Sequence, residues 1–223
     1  VKNGGEQNMI NNQLNLSLYV VTDPFLPGSQ PLKLVVEQAI SGGAVCVQLR
    51  DKKSSSGELF KTAKELIGIT KKHHVPLIIN DRLDIALAVK ADGVHLGQED
   101  LPAQVARRIM PLEMILGVSV DSVQQALEAQ DAGATYLGVG SIFPTATKPD
   151  AGYPIGLNTL SEICSHIDIP VVGIGGIHAE NAGLVIAAGA QGVAVVSCVV
   201  GADDVTRAAE KVASAVSKAL MKT

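Results

Sequence analysis

The chain has 223 residues, 47% of them hydrophobic, and a formal charge of −4 at pH 7. That length and apolar content suffice for one sizeable core, while the weak negative balance excludes a general basic field for nucleic acid or an anionic membrane. Cys46, Cys164 and Cys198 stand far apart without a CxxC pair, so a reducing, cytoplasmic setting without bound zinc is expected.

In chain order, the opening stretch VKNGGEQNMINNQ is polar and lacks the charged-then-apolar pattern of a secretion signal. Residues 1–15 are expected to form a flexible tail and residues 16–223 a single domain. From Leu16 onward, short runs rich in Val, Ile and Leu alternate with stretches that carry apolar residues at helical spacing. The predicted strands are LSLYVVTD (16–23), AVCVQLRD (44–51), VPLIIND (75–81), GVHLG (93–97), MILGVSV (114–120), TYLGVGSIF (135–143), PVVGIGGI (170–177) and GVAVVSCVV (192–200).

Between them lie helices such as ELFKTAKELIGITKK, whose Leu59, Ala63, Leu66 and Ile67 share one face, and VQQALEAQDAG, which ends in a glycine suited to a left-handed cap. The glycine-then-strand join recurs at Gly43, Gly93, Gly133 and Gly189. Strands apolar on both faces belong in a parallel sheet covered by helices, and eight strand–helix units over about 210 residues predict a closed (β/α)8 TIM barrel. A doubly wound open sheet is the alternative. No apolar run approaches the roughly 18 residues of a membrane span.

In such a barrel the site gathers at the C-terminal ends of the strands. The candidates there are Gln48, Arg50 and Lys52 after the second strand, Asn80 and Asp81 after the third, Gln98 and Asp100 after the fourth, and Ser119 after the fifth. The segment PTATKPDAGYP follows the sixth, Gly175 and Gly176 the seventh, and Ser197 lies at the eighth. Asp81 and Asp100 follow adjacent strands, so their carboxylates are candidates to hold magnesium, which keeps several waters and takes one or two carboxylates plus a ligand's phosphates. The competing reading makes each aspartate a helix N-cap, opening RLDIALAVK or LPAQVARRI. Arg50, Lys52 and Lys53 are either a solvated turn or the cations of a diphosphate site. GIGGI and VVS occupy the usual phosphate-binding corner of barrels. His95 is a candidate to orient a carboxylate or a satisfied core histidine, and the other histidines lack ligand spacing.

Taken together, LYVVTD, VQLRDK, INDRLDIALAVKADGVHLGQED, LGVSV, GVGSIFPTATKPDAGYPIG, VVGIGGI and GVAVVS resemble, in order, the thiamine-phosphate synthase family. The resemblance implies a barrel enzyme that joins a hydroxymethylpyrimidine diphosphate to a thiazole phosphate with loss of pyrophosphate. It implies that Gln48, Leu49, Arg50, Asp51, Lys52 and Asn80 bind the pyrimidine diphosphate and that Asp81 and Asp100 hold Mg2+. Ser119 and Lys148 would meet the pyrimidine substrate or its pyrophosphate, and Thr145, Ala146, Thr147, Gly176, Val196 and Ser197 would cradle the thiazole phosphate. Arg50, Lys52, Ser119 and Lys148 are the implied catalytic groups, in a dissociative reaction with small-molecule partners and neither nucleic acid nor membrane. Residues 144–154 are expected to close over bound substrate and bring Lys148 to the pyrophosphate. Ser141 stands where the family pattern has proline, and Asp121 where it often has histidine. A thiazole tautomerase and a non-catalytic thiazole-phosphate-binding regulator on the same barrel are the alternatives.

Overall fold

Alternate residues of each strand serve two different cores. In β1 (Leu18–Val21), Tyr19 and Val21 join one apolar cluster while Leu18 and Val20 join another. The computed structural model, which describes residues 14–23, 26, 30–145 and 153–222, shows why both faces are apolar. Strands β2 (Cys46–Leu49), β3 (Leu77–Asn80), β4 (Gly93–Leu96), β5 (Ile115–Val120), β6 (Tyr136–Val139), β7 (Val171–Ile174) and β8 (Gly192–Val195) pair in parallel in chain order, and β8 closes onto β1. The inner cluster, with Tyr19, Cys46, Ile78, Ile115, Tyr136, Val172 and Ala194, fills the barrel. The larger outer one lies between barrel and helices.

The helical layer comprises α1 (Leu32–Ser41), α2 (Ser56–Lys72), α3 (Leu83–Val89), α4 (Ala103–Ile109), α5 (Val123–Asp131), α6 (Gly156–His166), α7 (Ala182–Ala187), α8 (Ser197–Val200) and α9 (Val205–Leu220). In α2 the buried residues are Leu59, Ala63, Leu66, Ile67 and Thr70, the predicted face with one addition. Its start is fixed by a capping box: the Ser55 side chain accepts from the Glu58 N–H, and the Glu58 carboxylate accepts from the Ser55 N–H. The glycine after α5, Gly133, has φ +87°, the left-handed stop expected of it.

Three expectations need correction. The strands end earlier than the apolar runs do, most visibly at the eighth. Val196 leaves the extended region (φ −124°, ψ −92°), its carbonyl accepts from the Val200 N–H, and Ser197–Val200 becomes the helix α8. At the join before β4 it is Lys90 (φ +56°), not Gly93, that adopts the left-handed conformation; Gly93 is itself a strand residue facing inward, where a Cβ would strike Ile115 and Ile78. Neither Asp81 nor Asp100 is a helix cap. The cap positions of α3 and α4 are Arg82 and Pro102, and neither side chain makes a capping hydrogen bond. The expected tail, residues 1–15, lies almost wholly outside the described residues.

Candidate active site

A cavity of about 550 Å³ opens over the C-terminal ends of the strands. Strand alternation sends Gln48 and Arg50 to the same side, and both line it. Lys52, Asn80, Asp81, Asp100, Ser119, Thr145, Gly176, Val196 and Ser197 line it too. Leu49 is fully buried in the outer core, with its side chain turned from the cavity. Asp51 holds the following turn by accepting from the backbone N–H groups of Lys53 and Ser54, each at 3.0 Å. Asp121 stands exposed beyond β5, outside the lining, with its N–H donated to Gln125. Ala146, Thr147 and Lys148, within residues 146–152 of the expected closing loop, lie outside the described residues.

One wall carries the charges. The Lys52 ammonium lies 3.4 Å from the Asp81 carboxylate, and the Arg50 guanidinium 3.9 Å from that of Asp23. Asp81 sits at φ +61°, in the left-handed region that aspartate and asparagine tolerate better than most residues. That backbone turn carries its carboxylate toward Asp100. Burial pushes the Asp81 carboxyl above the ordinary range, the neighbouring Asp100 carboxylate pushes it further, and Lys52 opposes both. Asp100 is oriented by the Gly97 N–H, which donates to it at 2.7 Å.

Two like charges held together in a half-buried wall form an all-oxygen donor set that a divalent cation would relieve. Among the described residues no group of three or more His, Cys, Asp or Glu gathers to hold a metal. The fit is therefore to magnesium that keeps waters and takes further oxygens from a phosphorylated ligand, not to a closed protein cage.

The opposite wall is backbone. Gly175 and Gly176 both have positive φ, +99° and +65°, and a Cβ on either would collide with the segment after β6, at Ser141 and at Pro144. The Ile142 and Phe143 N–H groups donate to the carbonyls of Ile174 and Gly175, and Asn181 donates to the carbonyl of Gly176. The glycine pair is thus fixed beside Val196 and Ser197.

Between these walls lie Gln48, His95 and Ser119, all expected from the sequence, and two tyrosines that sequence reading passed over. Tyr19 and Tyr136 line the cavity from inside the barrel, joined hydroxyl to hydroxyl at 2.8 Å, and His95 bridges Tyr136 to Ser119. The available signal was scarcity: only three tyrosines occur, and two stand within predicted strands. His178, one of the histidines without ligand spacing, reaches the mouth with Glu180 as its partner.

The sequence profile of the family described as thiamine monophosphate synthase matches residues 18–199. A thiamine-phosphate synthase of Roseiflexus sp. is 50% identical over 203 residues, 91% of this chain and 86% of that one. One from Chloroflexus aurantiacus is 52% identical over 200 residues, 90% and 92% of the two chains. Among solved structures, thiamine phosphate pyrophosphorylase from Pyrococcus furiosus superposes with a TM-score of 0.86 at 44% identity, covering 96% of this chain and 100% of that one.

Proposed function

Because the chain belongs to the thiamine monophosphate synthase family, we propose that its cavity joins a hydroxymethylpyrimidine diphosphate to a thiazole phosphate, forming thiamine phosphate and pyrophosphate. The chain is accordingly an enzyme, a transferase of thiamine biosynthesis. One observation carries the assignment of ends: the cavity places a carboxylate pair and two cations on one wall and glycine backbone on the other. A diphosphate with a metal suits the first wall and a monophosphate the second.

In this reading Gln48, Arg50, Lys52, Asn80 and Ser119 receive the pyrimidine diphosphate. Leu49 anchors the end of β2 in the outer core, and Asp51 fixes the turn that carries Lys52. Thr145, Gly176, Val196 and Ser197, with Ala146 and Thr147, take the thiazole phosphate, and Lys148 joins the pyrophosphate. Asp81 and Asp100 would hold magnesium, which when bound neutralises charge on the pyrophosphate oxygens.

The reaction is proposed to be dissociative. The C–O bond of the pyrimidine breaks, its electron pair leaves with the pyrophosphate, and the thiazole nitrogen then donates its own pair to the methylene cation. The chain's part is electrostatic: Arg50, Lys52 and Lys148 meet charge that grows on the leaving oxygens, a role worth about 10²-fold or more in rate per positioned donor. The apolar floor, with Ile174, Val172 and Ala194, excludes water that would otherwise capture the cation. A cytoplasmic location belongs to the same proposal, supported by three cysteines that are all free.

The test is to incubate the purified protein with both substrates and magnesium and to measure thiamine phosphate and pyrophosphate. Equal yields of the two products are expected. Conversion of the thiazole alone, without coupling, would favour the tautomerase alternative and overturn the proposal.

A further inference from the structure

Five side chains from five strands form one hydrogen-bonded line along the cavity. Gln48 Nε2 donates to the Tyr19 hydroxyl at 2.7 Å. Tyr19 meets the Tyr136 hydroxyl at 2.8 Å, Tyr136 meets His95 Nδ1 at 2.8 Å, and His95 Nε2 meets Ser119 Oγ at 2.8 Å. Of these bonds, the first has a direction fixed by its donor. An amide nitrogen only donates, so Tyr19 accepts there and keeps its own proton to give. Burial pushes both phenols well above their ordinary range, so each carries that proton.

Tyr19 has two neighbours that could take it, Tyr136 and Cys46. Thiol sulfur is the weaker acceptor, and the proton goes to Tyr136. Tyr136, accepting from Tyr19, gives its own proton to His95 Nδ1. A neutral imidazole with Nδ1 accepting carries its hydrogen on Nε2, and that hydrogen is donated to Ser119. Ser119 then has its hydroxyl proton left to offer elsewhere.

A second observation shows that the pairing is seated. A Cβ at Gly117 of β5 would overlap the Tyr136 ring and His95 Nδ1, and one at Gly138 of β6 would lie 3.0 Å from His95 Cε1. Glycine at those inward positions leaves the ring and the imidazole their space.

We infer that Tyr136 is a positioning residue: it holds His95 as the Nε2–H tautomer and thereby makes Ser119 a hydrogen-bond donor to the bound pyrimidine diphosphate. The donor role of Ser119 rests on the proposed function. The tautomer does not, because it is fixed within the protein.

The experiment is a long-range proton–nitrogen correlation spectrum of protein labelled with 15N-histidine. The His95→Gln variant identifies which of the five imidazole patterns belongs to His95. Wild type is expected to show protonated Nε2 and unprotonated Nδ1 at His95. Tyr19→Phe is expected to keep that pattern, because Tyr136 still donates, whereas Tyr136→Phe is expected to lose it in favour of Nδ1–H or a mixture. Alongside, Tyr136→Phe should lower kcat/KM for the pyrimidine diphosphate on the order of tenfold while leaving KM for the thiazole phosphate unchanged. Protonated Nδ1 in wild type, or an unaltered pattern in Tyr136→Phe, overturns the inference. Should Tyr136→Phe fail to fold, Ser119→Ala, which leaves Tyr136 as the group facing Nδ1, is expected to keep the Nε2–H pattern, and its loss there overturns the inference. An altered tautomer with unchanged kcat/KM overturns the link to Ser119. Absence of coupling in wild type would instead remove the proposed function and leave the tautomer standing.

Discussion

Asp81 joins a left-handed backbone, φ +61°, to a carboxylate that shares its wall with Asp100. Asparagine tolerates that conformation as well as aspartate does, and the side chain caps no helix, so Asp81→Asn tests charge without disturbing the fold. It should lower kcat by about 10²-fold or more at saturating magnesium, with a thermal midpoint close to that of wild type. Exhaustive chelation should likewise abolish wild-type turnover, and added magnesium should restore it. Normal kinetics in the variant would sink the ligand assignment. Cys198 provides a pH test beside the same cavity. Burial pushes its thiol up to about 11, and the group donates to the Ile177 carbonyl. Since burial disfavours the charged form, the thiolate fraction at neutral pH is very small and grows about tenfold per pH unit until the thiol titrates. Alkylation of Cys198 by iodoacetamide, followed by mass spectrometry, should accelerate steadily between about pH 8 and 10. A plateau below that range would contradict the burial argument.

Among the elements, α2 shows how local chemistry holds the site. Its capping box at Ser55 and Glu58 lies directly after the turn that Asp51 pins, and that turn carries Lys52. Removing the cap with Ser55→Ala should cost about 1 kcal/mol of stability, read as a midpoint about 2–4 °C lower for a chain of this size. Because Ser55 does not line the cavity, kcat should stay near that of wild type. A fall in kcat with an unchanged midpoint would show instead that the cap acts through the Lys52 turn. The strands β4, β5 and β6 make the complementary point. Their register sets His95 opposite Gly117 and Gly117 opposite Tyr136, so bulky residues on two strands are accommodated by the empty position between them.

For the molecule as a whole, closure is the decisive event, and it occurs where β8 meets β1. Leu18, Tyr19 and Val20 pair there with Val193, Ala194 and Val195. Gly192 stands at that seam, and a Cβ on it would collide with the Leu16 carbonyl and the Ser17 backbone. Those are backbone atoms, which can yield only by parting the first strand from the last. Gly192→Ala should therefore be more destabilising than an ordinary core overpacking of about 1–3 kcal/mol, with a clear fall in the midpoint of thermal unfolding. Gly183→Ala, whose added methyl would make only ordinary contact with Ala219 at 3.9 Å, is the matched control and should change the midpoint little. Equal behaviour of the two variants would mean that the seam is not tightly packed.

The sequence by itself determined the barrel, because the period of apolar residues sets which segments are strands and which are helices, and eight such alternations have few closed solutions. It also determined the acidic and basic candidates of the mouth, since polar residues that end buried runs stand out in a chain this apolar. Gln48, Arg50, Asp81, Asp100 and Ser119 were all legible in that way. What only the tertiary structure decided was which neighbours those residues have. Whether Asp81 and Asp100 cap helices or face each other depends on where α3 and α4 begin, and helix starts shift by a residue or two without changing the apolar pattern. The line from Gln48 through Tyr19, Tyr136 and His95 to Ser119 was invisible for a simpler reason. Its members lie on five strands, as much as 117 residues apart in the Tyr19–Tyr136 pair, and only the parallel register of a closed sheet brings such distant hydroxyls within reach of one proton.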